Sequence, residues 1–338
     1  MAMQQELDHH HQHHEDDHED DHPLHIAVFP WLAFGHMMPL LELSKTLANK
    51  GHHVSYLATP RNISRLSSTT LPSLLTFIPL PLPQTPGLPD FAEATSEVSP
   101  DQVQYLKLAL DSLQHHPFTT FLQEASPKPD WILLDFSTPW AIPIASKFSI
   151  PCVFFSVFTA SFLTFIGPPS EITEGKGSRR LWENFTESRP AWIPFPSKLA
   201  YSLHGARNLM ALTRAMLTVS RCLPALYDRQ GRKALAPRTQ GKWNCGLPLM
   251  LLPIYVDQEA NARMVGERGF GVEVERRGED GFFSREEVAR VLRLVMLGEE
   301  GERVRVRARE MKKVFADREG QEKYVDEFVR FMKVHKKL

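Results

Sequence analysis

The N-terminal part of the chain alternates short apolar runs with amphipathic segments, which is the pattern of a parallel α/β sheet. Residues 26–29 are apolar and uncharged and are bounded by Pro30, as expected for a strand buried on both faces. Leucines then recur at helical spacing after Pro39, and Gly51 follows a basic residue, so the sequence predicts a helix over residues 39–50. A second strand is predicted over residues 54–59.

The same alternation continues along the chain. Strands are predicted at residues 75–79, 131–135 and 152–157, and the capping box of Ser99 and Gln102 predicts the start of a helix. Ser284 and Glu287 form a second capping box, and residues 302–338 read as helical with charges of both signs. The predicted fold class is therefore α/β, with strands and helices in regular succession.

Two residues with useful chemistry stand where predicted strands end. His36 follows the first strand, and Asp135 ends the apolar run WILLDF. Because the carboxyl ends of parallel strands share one edge of a sheet, and a buried carboxylate needs a partner, we expect the two side chains to lie within hydrogen-bonding reach. The alternatives are that His36, one of 15 histidines, merely caps a loop, and that Asp135 caps a helix over residues 137–147.

Composition narrows the class of protein. The 338 residues are 42% hydrophobic and 23% charged with a net charge of −1, which is ordinary for a globular protein and gives no electrostatic case for nucleic acid. Three scattered cysteines argue against a disulfide framework or a zinc site. No signal peptide is evident, and the longest apolar run, residues 152–167, is too short to span a bilayer. We therefore expect a cytosolic protein without stable membrane insertion.

Residues 1–23 form a polar tail with seven histidines and eight acids. Such a composition cannot build a core, so the tail is predicted to be disordered. A mixture of histidine and aspartate can also bind zinc or nickel loosely. A metal-binding function of the tail is the alternative reading, and it predicts metal affinity that disappears when the tail is deleted.

The segment FGHMMPLLELSKTLANKGHHV, residues 34–54, resembles the first βα unit of plant UDP-dependent glycosyltransferases, family 1, whose fold is called GT-B. The resemblance implies that His36 deprotonates the acceptor hydroxyl. The later segment PDWILLDF resembles the strand whose aspartate orients that histidine, which implies this role for Asp135. The loop has one glycine, Gly35, and so lacks the three-glycine fingerprint of nicotinamide enzymes.

Near the C-terminus, GLPLMLLPIYVDQEANARMV resembles the end of the donor-binding signature of the same family. By this resemblance, Asp257 and Gln258 hold the donor sugar. The start of the signature is not found between Leu223 and Cys245, and the pair Trp243-Asn244 lies too close to the following GLP to be equivalent. Residues 245–338 suffice for about three βα units of roughly 30 residues, about half of a doubly wound domain.

The sequence thus predicts a GT-B fold of two doubly wound, Rossmann-like domains, the C-terminal one incomplete through an internal deletion. The predicted parts are the tail 1–23, an acceptor-binding domain 24–222, an aberrant junction 223–244 and a partial UDP-sugar-binding domain 245–338. The resemblance implies inverting transfer from a UDP-sugar to a small plant metabolite, a flavonoid or terpenoid that can already be glycosylated, without a metal or other cofactor. A monomer is expected, and this form is expected to be weak or inactive. The alternative is a catalytically dead binder or a mis-spliced fragment.

Overall fold

The computed structural model describes residues 22–67, 70–114, 116–167, 181–186, 190, 193, 199–210, 246–254, 256–276 and 281–336. Residues 1–21 of the predicted tail and the whole predicted junction 223–244 lie outside the described residues. The predictions made for them are therefore not addressed by the structure.

The N-terminal part is built on a five-stranded sheet in which every neighbouring pair is parallel. The strands are β1 (His25–Phe29), β2 (His53–Ala58), β3 (Leu75–Pro79), β4 (Trp131–Leu134) and β5 (Cys152–Phe154). Their order in the sheet is β3-β2-β1-β4-β5. From β1 the chain adds β2 and then β3 on one side, and it crosses back to add β4 on the other side of β1. This switch in strand order places the carboxyl ends of β1 and β4 side by side.

Helices cover both faces of this sheet. They are α1 (Phe34–Asn49), α2 (Pro60–Leu66), α3 (Val103–Ser112), α4 (Pro117–Glu124), α5 (Ala141–Lys147) and α6 (Ala160–Ile166). Ile26 and Val28 belong to one buried cluster, whereas Ala27 and Phe29 belong to the other. This alternation follows from the two-residue period of a strand and explains why β1 has no polar face.

The helix α1 begins at Phe34, so the prediction that it begins at Pro39 was wrong. Pro39 lies inside the helix, where its missing N–H leaves the carbonyl of Gly35 without an intrahelical partner. Gly35 is exposed, so that carbonyl can bond to water and the proline costs little. His36 consequently lies in the first turn of the helix rather than before it, and the backbone N–H of His36 donates to the Ala33 carbonyl at 2.8 Å.

The C-terminal part contains a separate parallel pair of strands, β6 (Leu249–Leu251) and β7 (Gly271–Glu273). Residues 203–210 are helical, and the later helices are α7 (Gln258–Glu267), α8 (Arg285–Met296), α9 (Glu302–Phe315) and α10 (Arg318–Val334). Ser284 caps α8 as predicted, because its hydroxyl accepts a hydrogen bond from Glu287 N at 3.1 Å. None of the described helices is both long and apolar enough to cross a bilayer.

The last helix returns to the first sheet. The indole N–H of Trp131 donates to the Met332 carbonyl at 2.9 Å, and Phe328 and Met332 are buried in the same cluster as Ile26. The predicted helical segment 302–338 is divided in two, because Asp317 caps a new helix by accepting a hydrogen bond from Gly320 N at 2.9 Å. The C-terminal end of the chain is therefore part of the core around β1 and β4.

Two histidines next to this core make the fold sensitive to acid. His52 is buried, and its Nδ1 accepts a hydrogen bond from Leu24 N at 3.1 Å. Burial lowers the pKa of His52 below the ordinary value of 6.5, as do the nearby Lys333 and Lys50. Burial also lowers the pKa of His25. Since the unfolded chain then binds more protons, we expect the free energy of unfolding to fall as the pH decreases from about 6.5 through the lowered values.

Urea denaturation at a series of pH values measures this dependence. The variant His52→Gln keeps an acceptor for Leu24 N but cannot take up a proton, so its stability should fall less steeply with acid. His116→Gln is the matched control at an exposed position that is not among the groups acting on His52 or His25, and it should leave the slope unchanged. A stability that is constant between neutral and mildly acidic pH would contradict the assignment.

Candidate active site

The ends of β1 and β4 bring His36 and Asp135 together. The two strands are paired in register, with Phe29 opposite Leu134, so the residues that follow them meet at the carboxyl edge of the sheet. The distance from Nδ1 of His36 to Oδ2 of Asp135 is 2.7 Å. The predicted proximity is thus confirmed for two residues that are 99 positions apart in sequence.

Asp135 is held by backbone donors as well as by the imidazole. Its Oδ2 accepts a second hydrogen bond from Trp31 N at 3.0 Å, and its Oδ1 accepts one from Phe136 N at 2.7 Å. The carboxylate is 1% exposed, and these three hydrogen bonds satisfy a charge that would otherwise be costly to bury. Asp135 does not cap the next helix, whose N-cap residue is Trp140, so that alternative was wrong.

The imidazole of His36 is fixed in one orientation. Because a carboxylate only accepts hydrogen bonds, Nδ1 carries the proton that is shared with Asp135, and Nε2 of the neutral ring has its lone pair available. Within the described part of the chain, Nε2 makes no hydrogen bond. The rings of Phe136 and Phe158 stand against the imidazole with centroids 5.4 and 5.3 Å away, which limits its rotation and excludes water from two sides.

The C-terminal part contributes Asp257 to the same place. Burial raises the pKa of Asp257, while the hydrogen bond from Asn261 Nδ2 at 2.7 Å and the nearby His36 act in the opposite direction. Asn261 in turn accepts a hydrogen bond from the Thr159 hydroxyl at 2.8 Å. This chain of contacts joins the start of α7 to the start of α6, and it holds the Asp257 carboxylate close enough to His36 for electrostatic interaction.

Gln258 is the remaining residue predicted for the site. It is exposed, and its Oε1 accepts a hydrogen bond from Ile254 N at 2.8 Å. The carboxamide therefore supports the turn that leads into α7. Its predicted contact with a donor sugar stays a prediction.

Several parts of the site were not predicted from the sequence. Phe136 and Phe158 enclose the imidazole, and Asn261 fixes Asp257. The four-residue spacing of Asp257 and Asn261 was a usable signal, because such residues face each other on a helix. Among the described residues, no group of three or more His, Cys, Asp or Glu is placed to hold a metal ion.

The geometry suits the removal of a proton from a hydroxyl. A neutral imidazole with one nitrogen on a buried carboxylate and the other available can act as a general base, and the carboxylate then stabilises the imidazolium that forms. The Asp257 carboxyl, which interacts electrostatically with the imidazole, can take part in hydrogen bonds with a polyhydroxylated substrate.

Known proteins with similar sequences are plant glycosyltransferases. The chain is 29% identical to UDP-glycosyltransferase 91D2 from Stevia rebaudiana over 452 positions, which cover 91% of this chain and 94% of the relative. It is 29% identical to UDP-glycosyltransferase 91C1 from Arabidopsis thaliana, with 92% and 96% covered. With UDP-glycosyltransferase 91B1 from Arabidopsis thaliana, identity is 43% over 197 residues, which cover 58% of this chain and 41% of the relative.

The length of these alignments shows that this chain lacks residues that its relatives have. An alignment of 452 positions with a chain of 338 residues leaves at least 114 positions at which this chain has no residue. The chain is therefore shorter than its relatives although it matches nearly their whole length, which is consistent with the predicted internal deletion.

Solved structures agree on the fold. UGT89C1 of Arabidopsis thaliana complexed with UDP-L-rhamnose superposes with a TM-score of 0.62 at 18% identity, covering 92% of this chain and 100% of that chain. A UDP-glucose: anthocyanidin 3-O-glucosyltransferase in complex with UDP gives a TM-score of 0.65 at 12% identity, with 93% and 99% covered. These likenesses establish the predicted GT-B fold, and no protein-family model matches the chain. Over nearly its whole length the chain is thus similar to plant UDP-dependent glycosyltransferases, enzymes that use a UDP-sugar as co-substrate.

Proposed function

We propose that His36 is the general base for an acceptor hydroxyl and that Asp135 orients it and stabilises its protonated form. The observation that carries this proposal is the hydrogen bond of 2.7 Å between Nδ1 of the partly exposed His36 and Oδ2 of the buried Asp135. It leaves Nε2 as the atom that takes the acceptor proton.

The reaction is a displacement with inversion. The acceptor oxygen loses its proton to His36 Nε2 and forms a bond to the anomeric carbon of the sugar. The bond between that carbon and the UDP oxygen breaks, and UDP leaves with the electron pair. Asp257 and Gln258 are proposed to hold hydroxyls of the sugar, and the electrostatic interaction of Asp257 with His36 supports its part of this role.

The proposed acceptor is a flavonoid or terpenoid that already carries a sugar. Two relatives support this class by their names: the soyasaponin III rhamnosyltransferase of Glycine max is 35% identical over 179 residues, and the anthocyanidin-3-O-glucoside rhamnosyltransferase of Petunia hybrida is 32% identical over 207 residues. The domain bounds 24–222 and 245–338, the cytosolic location and the monomeric state stay predictions.

We further propose that the chain as it stands transfers sugar weakly or not at all. A donor site needs groups for the diphosphate and the uridine, and the sequence between Leu223 and Cys245 offers none that resemble those of the family. The second candidate function is therefore a binder of small molecules without catalysis. This candidate is supported by two observations together. The contact between His36 and Asp135 on the proposed acceptor side is present, whereas the chain lacks at least 114 of the 452 positions of its alignment with a relative.

The experiment that tests the proposed chemistry uses a restored form, in which the segment missing relative to UDP-glycosyltransferase 91C1 replaces residues 223–244. The restored form is incubated with UDP-sugars and a panel of flavonoid and terpenoid glycosides. NMR of the product should show an anomeric configuration opposite to that of the donor. A product with retained configuration would contradict direct displacement by an acceptor that His36 has deprotonated.

A further inference from the structure

A cavity of about 600 Å³ lies along the edge of the first sheet, away from the dyad. It runs beside β3 and is closed on the other side by α4, and none of its lining residues is His36, Asp135, Asp257 or Gln258. Its volume falls in the range of about 300–1,000 Å³ that is usual for small-molecule sites. The cavity is therefore large enough for an aromatic ligand.

The walls of the cavity are rigid. β3 is paired with β2 along its whole length, from Leu75 to Pro79, and α4 is anchored by Phe118 and Leu122, which are fully buried. Prolines line both sides, and their fixed φ angles further restrict the backbone. A ligand would consequently enter a preformed cavity and would lose little affinity to reorganisation of the protein.

A hydrogen-bonded pair forms the polar floor. His25 Nδ1 lies 2.8 Å from the Pro127 carbonyl, and His25 Nε2 lies 2.8 Å from the Ser55 hydroxyl. A carbonyl only accepts, so Nδ1 carries the proton and Nε2 of the neutral ring accepts from Ser55. The Ser55 hydroxyl therefore donates its hydrogen bond to His25, and its oxygen can act only as an acceptor toward a ligand in the cavity.

The remaining lining has little formal charge. Ile78 and Phe121 supply apolar surface, and Glu124 is the only Asp, Glu, Lys or Arg among the described residues that line the cavity, which also include His53 and His116. An anion would meet Glu124 without any lysine or arginine to compensate, and a cation would have a carboxylate only at the exposed rim. Neutral, aromatic molecules with a hydroxyl to donate fit these walls and this acceptor.

We propose that this cavity is a second small-molecule site, which binds a neutral phenol with its hydroxyl donating to Ser55 Oγ. The site is separate from the dyad and does not depend on the proposed glycosyl transfer.

Calorimetry on the full chain with 2-naphthol tests the proposal, with 2-methoxynaphthalene as the analogue that cannot donate and 2-naphthoate as the anion. We expect 2-naphthol to bind, the ether to bind roughly 3- to 10-fold more weakly, and the anion to show no binding. Ser55→Ala should weaken 2-naphthol by a similar factor while leaving the ether unchanged. Equal losses for both compounds, or equal affinity of the two for the native chain, would overturn the phenol assignment.

A blocking variant locates the site. Thr76 is exposed and lies directly opposite Ser55 in the paired strands, so Thr76→Trp places an indole over the Ser55 hydroxyl. This variant should remove one binding event from the 2-naphthol isotherm. Gln123→Trp adds the same side chain at an exposed position of α4 that does not line the cavity, and it should leave the isotherm intact. An unchanged isotherm for Thr76→Trp, or no binding by the native chain, would overturn the proposal.

Discussion

Replacing His36 with alanine in the restored form should lower kcat by about 10²–10⁴-fold, which is the usual contribution of a positioned general base. The acceptor hydroxyl would then have to lose its proton to water while it attacks the sugar. Because the proposed general base would contact the acceptor only at the reacting oxygen, the KM values for acceptor and donor should change much less than kcat. Initial rates with a single acceptor and a single UDP-sugar measure both effects.

The variant Asp135→Asn tests the orientation of the His36 imidazole while the proposed base itself stays in place. The amide cannot accept three hydrogen bonds from donors as the carboxylate does, so the imidazole loses its fixed tautomer and the charge that stabilises its protonated form. In a base and orienter pair this change costs up to about 10⁴-fold in kcat. The rate of the variant should therefore fall nearly as far as that of His36→Ala, and the double variant should be little worse than either, because the two residues act as a unit.

Two controls make this test decisive. His53→Ala removes an exposed histidine at the first residue of β2, at the opposite edge of the sheet from the dyad, and should leave kcat unchanged. Thermal unfolding of each variant shows whether it is folded, since Asp135 also satisfies the buried N–H group of Trp31. A folded His36→Ala variant that retains native kcat would mean that another group accepts the proton.

The pairing of His36 and Asp135 could be predicted because it depends on one rule of parallel sheets. Each residue follows a short apolar run, and runs of that kind end at a common edge wherever they lie in the sequence. The start of α1 was misplaced for an equally local reason. A proline marks a helix start on average, but here the exposed Gly35 lets Pro39 stand one turn further in.

The contacts of the C-terminal part could not be predicted in the same way. Asp257 comes within electrostatic range of His36 because α7 packs on α6 through Asn261 and Thr159, and no periodicity encodes which helices meet. The return of α10 to Trp131 is similar, since its apolar stripe shows that it packs but not against which element. In contrast, the deletion was predicted from the missing start of the donor-binding signature, and the length of residues 245–338, which are too few for a complete doubly wound domain, agrees with it.

The chain as it stands should turn over UDP-sugars many powers of ten more slowly than the restored form. A leaving UDP needs donors for the charge that develops on its diphosphate, and one such electrostatic group is typically worth about 10²–10³-fold in kcat. By the family resemblance, the start of the donor-binding signature, which is not found in this sequence, would supply the groups that contact the phosphates. We therefore expect two or more such groups to be absent, and their effects to multiply to at least about 10⁴-fold.

Binding and turnover should be measured together on both forms. Calorimetry with UDP should give no binding for the chain as it stands and clear binding for the restored form, while turnover follows the same order. An acceptor glycoside that binds both forms equally would identify the native chain as a binder whose acceptor side is intact. Comparable turnover by the two forms would contradict the prediction, because the segment from Leu223 to Cys245 would then have to supply a donor site that does not resemble the one in the family.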